Sequence, residues 1–172
     1  MQPARSESAI MTSAEQARFR INRPNSRPRA TCVIALDERS AVALAALKDR
    51  PWNGAQFLRY AGMRRASEEL SSLRIDAILQ DEAGSKLSLM QALPGVDSVI
   101  MLTASDASAE AAEIIGNACA TKGIATTGLV LAPAAGGEAL GRIVAAMRPH
   151  TMMLVVSSGE DYIGEMLSAL RA

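Results

Sequence analysis

Six short apolar runs recur along this chain, and each is closed by a polar or glycine-containing turn before a segment with helical spacing begins. The runs are Thr31–Leu36 (TCVIAL), Ala55–Tyr60 (AQFLRY), Ile75–Gln80 (IDAILQ), Ser98–Thr103 (SVIMLT), Thr126–Leu131 (TTGLVL) and Met152–Val156 (MMLVV). The first is apolar without alternation, the mark of a strand covered on both faces. The middle stretch, Val96–Ser108, is the clearest unit: an apolar strand, a small polar turn, then a long helix.

Helical spacing predicts helices over Ser40–Lys48, Arg64–Leu73, Lys86–Leu93 with Ser85 as its cap, Ser108–Thr121, Glu138–Met147 and Asp161–Leu170. Arg50–Gly54 (RPWNG), Pro94-Gly95 and Lys122-Gly123 are the stop signals. Strands joined through helices run parallel, and right-handed crossovers put helices on both faces. The expected fold is therefore α/β: a doubly wound, Rossmann-like, three-layer domain with a mostly parallel six-stranded sheet. A chain of 172 residues suits one such domain, read here as residues 30–172.

Residues 1–29 break the pattern. They carry three Pro, five Ser or Thr and no apolar periodicity, a composition that reads as a flexible basic tail. Six Arg against two Glu give the tail +4, so the rest of this neutral chain carries −4. The alternative is a basic arm that contacts a partner. A mildly acidic body is a poor surface for nucleic acid. No apolar run approaches the about 18 residues of a membrane span, and the N-terminus lacks a signal-peptide core. Cys32 and Cys119, one in a strand and one in a helix, read as core thiols of a protein in a reducing cytoplasm.

Open parallel sheets bind ligands outside the carboxyl ends of their strands. The residues predicted there are Asp37, Glu38 and Ser40; Asp81 and Glu82; Thr103, Ser105, Asp106 and Ser108; Gly136, Gly137 and Glu138; and Ser157, Ser158, Gly159 and Asp161. Free N–H groups at helix N-termini suit an anion, and small side chains let it approach the backbone. The candidate ligand-binding set is Asp37, Ser40, Thr103, Ser105, Asp106, Ser108, Gly136, Gly137, Ser157, Ser158 and Gly159. Asp, Ser and Thr are also the preferred helix caps, so each has a purely structural reading beside the functional one. Asp37, Asp81 and Asp106 could instead converge on a hard cation. In a doubly wound order the first and fourth strands are neighbours while the third lies two strands from the first, which weakens that triad.

No GxGxxG, GxxxxGK[ST] or GxSxG occurs, and DERS stands where a glycine-rich turn would follow the first strand. The single histidine, His150, falls at the opposite end of a strand from the rim, so no histidine chemistry is expected. Trp52, in the Arg50–Gly54 loop, reads as cover for the bottom of the sheet or as an interface anchor.

From Gly95 onward the chain resembles the nucleotide-binding domain of the tubulin/FtsZ family. The stretches concerned are GVDSVIMLTAS (95–105), the helix 111–123, GIATTGLVLAP (123–133) and EALGRIVAAMRPHTMMLVVSS, which runs on to about Ser157. The resemblance spans about residues 95–157 and rests mostly on apolar patterning. It implies a Rossmann-like fold. In place of the family's glycine-rich phosphate loop stands Ser105-Asp106-Ala107-Ser108-Ala109-Glu110, whose Asp would face phosphates with like charge. The resemblance thus implies a truncated relative that does not bind or hydrolyse GTP in the usual way.

Three functions follow in order. The first is a non-catalytic interaction or regulatory domain with a protein partner or a second copy of itself. The second is a binder of a nucleotide or other small phosphate-containing ligand at the strand ends. The third is a metal-assisted enzyme. Neither nucleic acid nor membrane is expected as a partner, and no cofactor is named by the sequence.

Overall fold

The computed structural model describes residues 29–65, 75–133, 137–170 and 172. Residues 1–28, most of the helix predicted over Arg64–Leu73, and Gly136 lie outside the described residues. The strands are β1 (Thr31–Ala35), β2 (Gln56–Arg65), β3 (Ile75–Gln80), β4 (Lys86–Ser88), β5 (Ser98–Thr103), β6 (Ala125–Leu131) and β7 (Met153–Ser157). The helices are α1 (Glu38–Ala45), α2 (Leu89–Ala92), α3 (Ala109–Lys122), α4 (Gly137–Met147) and α5 (Ile163–Ala169).

One sheet runs in the order β4-β3-β2-β1-β5-β6-β7. Its five central and right-hand strands, β2, β1, β5, β6 and β7, are parallel. The α/β class and the doubly wound pattern hold, but the sheet is mixed and has seven strands rather than six.

Both corrections fall on one side of the sheet. β3 runs antiparallel to β2, because only nine residues (66–74) separate Arg65 from Ile75. A parallel crossover needs about a dozen or more. Arg64 and Arg65, expected to open a helix, instead end β2, which bulges between Tyr60 and Gly62. Gly62 sits at φ +130°, a conformation that L side chains rarely adopt, so glycine is what the bulge requires.

The seventh strand is Lys86–Ser88, where a helix was expected. Asp81 accepts from the Ser85 N–H at 2.8 Å and its own N–H donates to the Ser85 carbonyl at 3.0 Å. Ser85 therefore closes a β-hairpin instead of capping a helix. The cap is Ser88, whose hydroxyl accepts from the Gln91 N–H at 3.2 Å while Gln91 Oε1 accepts from the Ser88 N–H at 3.0 Å.

Successive residues of each central strand point to opposite layers. On one face Ile34, Met101 and Val130 meet α2, α3 and α4 through Leu89, Ala112, Ile115 and Ile143. On the other, Val33, Ile100, Leu102 and Leu129 meet α1 and α5 through Leu44, Ile163 and Leu167. Both layers are apolar, so the strands could not alternate polar and apolar. Each buried Leu or Ile contributes roughly 1.5–3 kcal/mol relative to exposure. Trp52 covers part of the second layer: its ring packs on Phe57 at 5.4 Å and its Nε1 donates to the Leu47 carbonyl at 2.9 Å.

Candidate functional site

The connection from β1 leads left to β2, and that from β5 leads right to β6, so the chain reverses its winding between β1 and β5. Doubly wound domains form their ligand crevice at such a point. Here the crevice is walled by Asp37 and the start of α1 on one side and by Thr103–Ser108 on the other.

The Asp37 carboxylate bonds across it. Oδ1 accepts from the Ser40 N–H at 2.9 Å, which caps α1. Oδ2 accepts from the Ala104 N–H at 2.7 Å, from the Thr103 hydroxyl at 2.8 Å, and lies 3.2 Å from Ser108 Oγ. The Ser108 and Thr103 hydroxyls are 2.9 Å apart. With one proton each, Thr103 donates to the carboxylate and Ser108 to Thr103 or Asp37. Ser40 completes the capping box: its hydroxyl accepts from the Asp37 N–H at 3.1 Å and donates to the Asp37 carbonyl at 2.9 Å.

Partial burial pushes the Asp37 carboxyl upward, but the Ala104 and Ser40 N–H bonds and the Thr103 and Ser40 hydroxyls outweigh it, leaving the group below its ordinary value. It is ionised at neutral pH, and its lone pairs are engaged by donors. Such a group is a weak general base and an anion already in place where a phosphate would sit.

Five of the candidate residues, Asp37, Ser40, Thr103, Ser105 and Ser108, thus come together, but they bond chiefly to one another. Ser105 Oγ accepts from the Ala107 N–H at 3.2 Å and caps the short 3-10 turn Asp106–Ser108. Asp106 turns outward to Arg142 of α4 at 3.1 Å, and Arg142 also reaches Glu138 at 3.4 Å. Gly137 opens α4 on this side. Ser157 ends β7, and Ser158 and Gly159 follow it, separated from β5 by β6. The buried Ser157 hydroxyl donates to the Gly159 carbonyl, and Ser158 is exposed.

Asp81 lies apart from Asp37 and Asp106, holding the β3–β4 turn. Among the described residues no three His, Cys, Asp or Glu side chains group as metal ligands.

Sequence reasoning missed the Ala104 N–H and Arg142, neither of which has a motif. It also missed a groove of about 400 Å³ between α1 and the β2–β4 hairpins. Ala41, Val42 and Ala45 of α1 and Phe57 of β2 line its apolar part, with Arg59, Gln80, Asp81 and Glu82 across from them. Arg59 is held by Gln80 at 2.7 Å and lies 4.0 Å from Glu38.

The described residues contain no helix long and apolar enough to cross a membrane. The chain matches no protein-family model, and the search of curated proteins finds no match to it.

Proposed function

We propose that this chain is an interaction domain, a doubly wound fold that works through contacts with protein rather than through chemistry on a small molecule. The observation that carries this reading is the Asp37 carboxylate, bonded into the crevice where related architectures receive an anionic ligand. A bound phosphate would have to take these donors from the carboxylate and meet its fixed negative charge. The likeness to the tubulin/FtsZ nucleotide-binding domain, with an acidic turn in place of the phosphate loop, fits the same reading.

The groove beside α1 supports a second reading, a small-ligand binder, since its volume falls in the range of ligand sites and Arg59 offers a cation at its rim. A thermal-shift screen against nucleotides, dinucleotides, phosphosugars and divalent ions separates the two. A ligand at a hundred times its dissociation constant adds about 2.7 kcal/mol, a shift of several degrees in a domain of this size. The interaction reading expects a flat screen. A clear shift that Arg59→Ala abolishes would replace it with the ligand-binding one.

A further inference from the structure

Among the described residues, the right-hand edge of the sheet, β7, carries no protection of the kind edge strands usually have. Its sequence, Met153-Leu154-Val155-Val156-Ser157, has no charge, proline or bulge. Met152, Met153 and Val156 are 81%, 44% and 41% exposed, and Tyr162, beyond the carboxyl end of the strand, is also exposed. The opposite edge, β4, is three residues long and begins with Lys86. Among the described residues, β7 is therefore the edge open to pairing.

What flanks β7 selects the occupant. Arg148 and His150 precede the strand; Glu160, which already pairs with Arg39 at 3.2 Å, and Asp161 follow it, so Arg148 and Asp161 carry the contrast between the two ends. Parallel pairing with a second copy would set like charges together. Antiparallel pairing about a two-fold axis sets the basic end of each copy against the acidic end of the other.

We propose that β7 pairs antiparallel with β7 of a second copy, joining the two sheets into one. This rests on the interaction-domain reading and names its partner. With the axis at Val155, Leu154 lies opposite Val156 of the second copy and Met153 opposite Ser157, so each exposed apolar residue meets an uncharged one. Arg148, ahead of each strand, then lies toward the end that carries Asp161 in the second copy, twice by symmetry.

Light scattering coupled to size-exclusion chromatography of the full chain, over a wide concentration range, tests the pairing. The wild type is expected to approach twice the mass of the chain. Val156→Lys is expected to give a monomer with its circular dichroism unchanged, because that side chain is already exposed. Arg148→Glu and Asp161→Arg are each expected to raise the dimer dissociation constant about tenfold, and the double variant to recover it. A wild type that is monomeric throughout would overturn the proposal while leaving the interaction-domain reading to the ligand screen. A dimer that persists in Val156→Lys would overturn it too, as would charge reversals that fail to rescue each other.

Discussion

Asp37 shows how one residue can satisfy a site and close it. Its carboxylate ties the start of α1 to Thr103, Ala104 and Ser108, 66 to 71 positions away in the chain. Asp37→Asn keeps the shape but places an N–H₂ against donors, and is expected to lower stability at neutral pH by about 1–3 kcal/mol in denaturant unfolding. The pH dependence has a definite sign. The folded carboxyl sits below its ordinary 3.8, so its contribution is whole above that value and falls as pH drops through the folded one. The acid limb of the stability curve should therefore be shallower in Asp37→Asn; an unchanged limb would mean the network does not hold the charge. The cysteines act at the other end of the scale. Burial, with a smaller effect of Cys119, pushes Cys32 up to about 12, and burial raises Cys119 to about 11. Unfolded thiols ionise near 9.0 while the folded ones stay protonated, so stability should decline as pH climbs above that value. Thiol titration under native conditions should find neither reactive at neutral pH.

At the scale of elements, α3 approaches the entry of β7 closely enough to meet its backbone. A Cβ on Gly116 would lie 2.8 Å from the backbone oxygen and the Cβ of His150. Replacing a helix-interior glycine with alanine ordinarily stabilises by about 1 kcal/mol. Here the neighbour is backbone, so Gly116→Ala is expected to destabilise instead, by about 1–3 kcal/mol. A raised melting temperature would show that the loop yields freely. The elements on the left of the sheet explain where pattern reading stops. Six strands were legible because each is a compact apolar run between turn residues. β4 was not, since three residues, Lys86–Ser88, leave no period to detect. Yet Ser88 and Gln91 spell a capping box, and weighing it above Ser85 would have moved the helix start to Leu89.

On the scale of the whole molecule, two apolar layers share one sheet, and each central strand serves both. Neither layer can dissolve without stripping cover from strands on which the other layer also packs. Denaturant unfolding followed by Trp52 fluorescence, which reports the α1–α5 layer, should coincide with thiol exposure of Cys32 and Cys119 in the α2–α4 layer. Separate midpoints would mean that the layers unfold independently. The sequence by itself determined the class of fold, because runs of Val, Ile, Leu and Met between helices admit few other arrangements. It also put Asp37, Ser40, Thr103, Ser105 and Ser108 at neighbouring strand ends, since a strand's end follows from where its apolar run stops. Only the tertiary structure decided the direction of β3, which depends on whether a connection is long enough to cross the sheet. It alone decided what the gathered residues do. Whether Asp37, Thr103 and Ser108 face a ligand or one another depends on how closely β1 and β5 bring together residues that are distant in the chain, and hydrogen-bond partners at that separation leave no local trace in sequence.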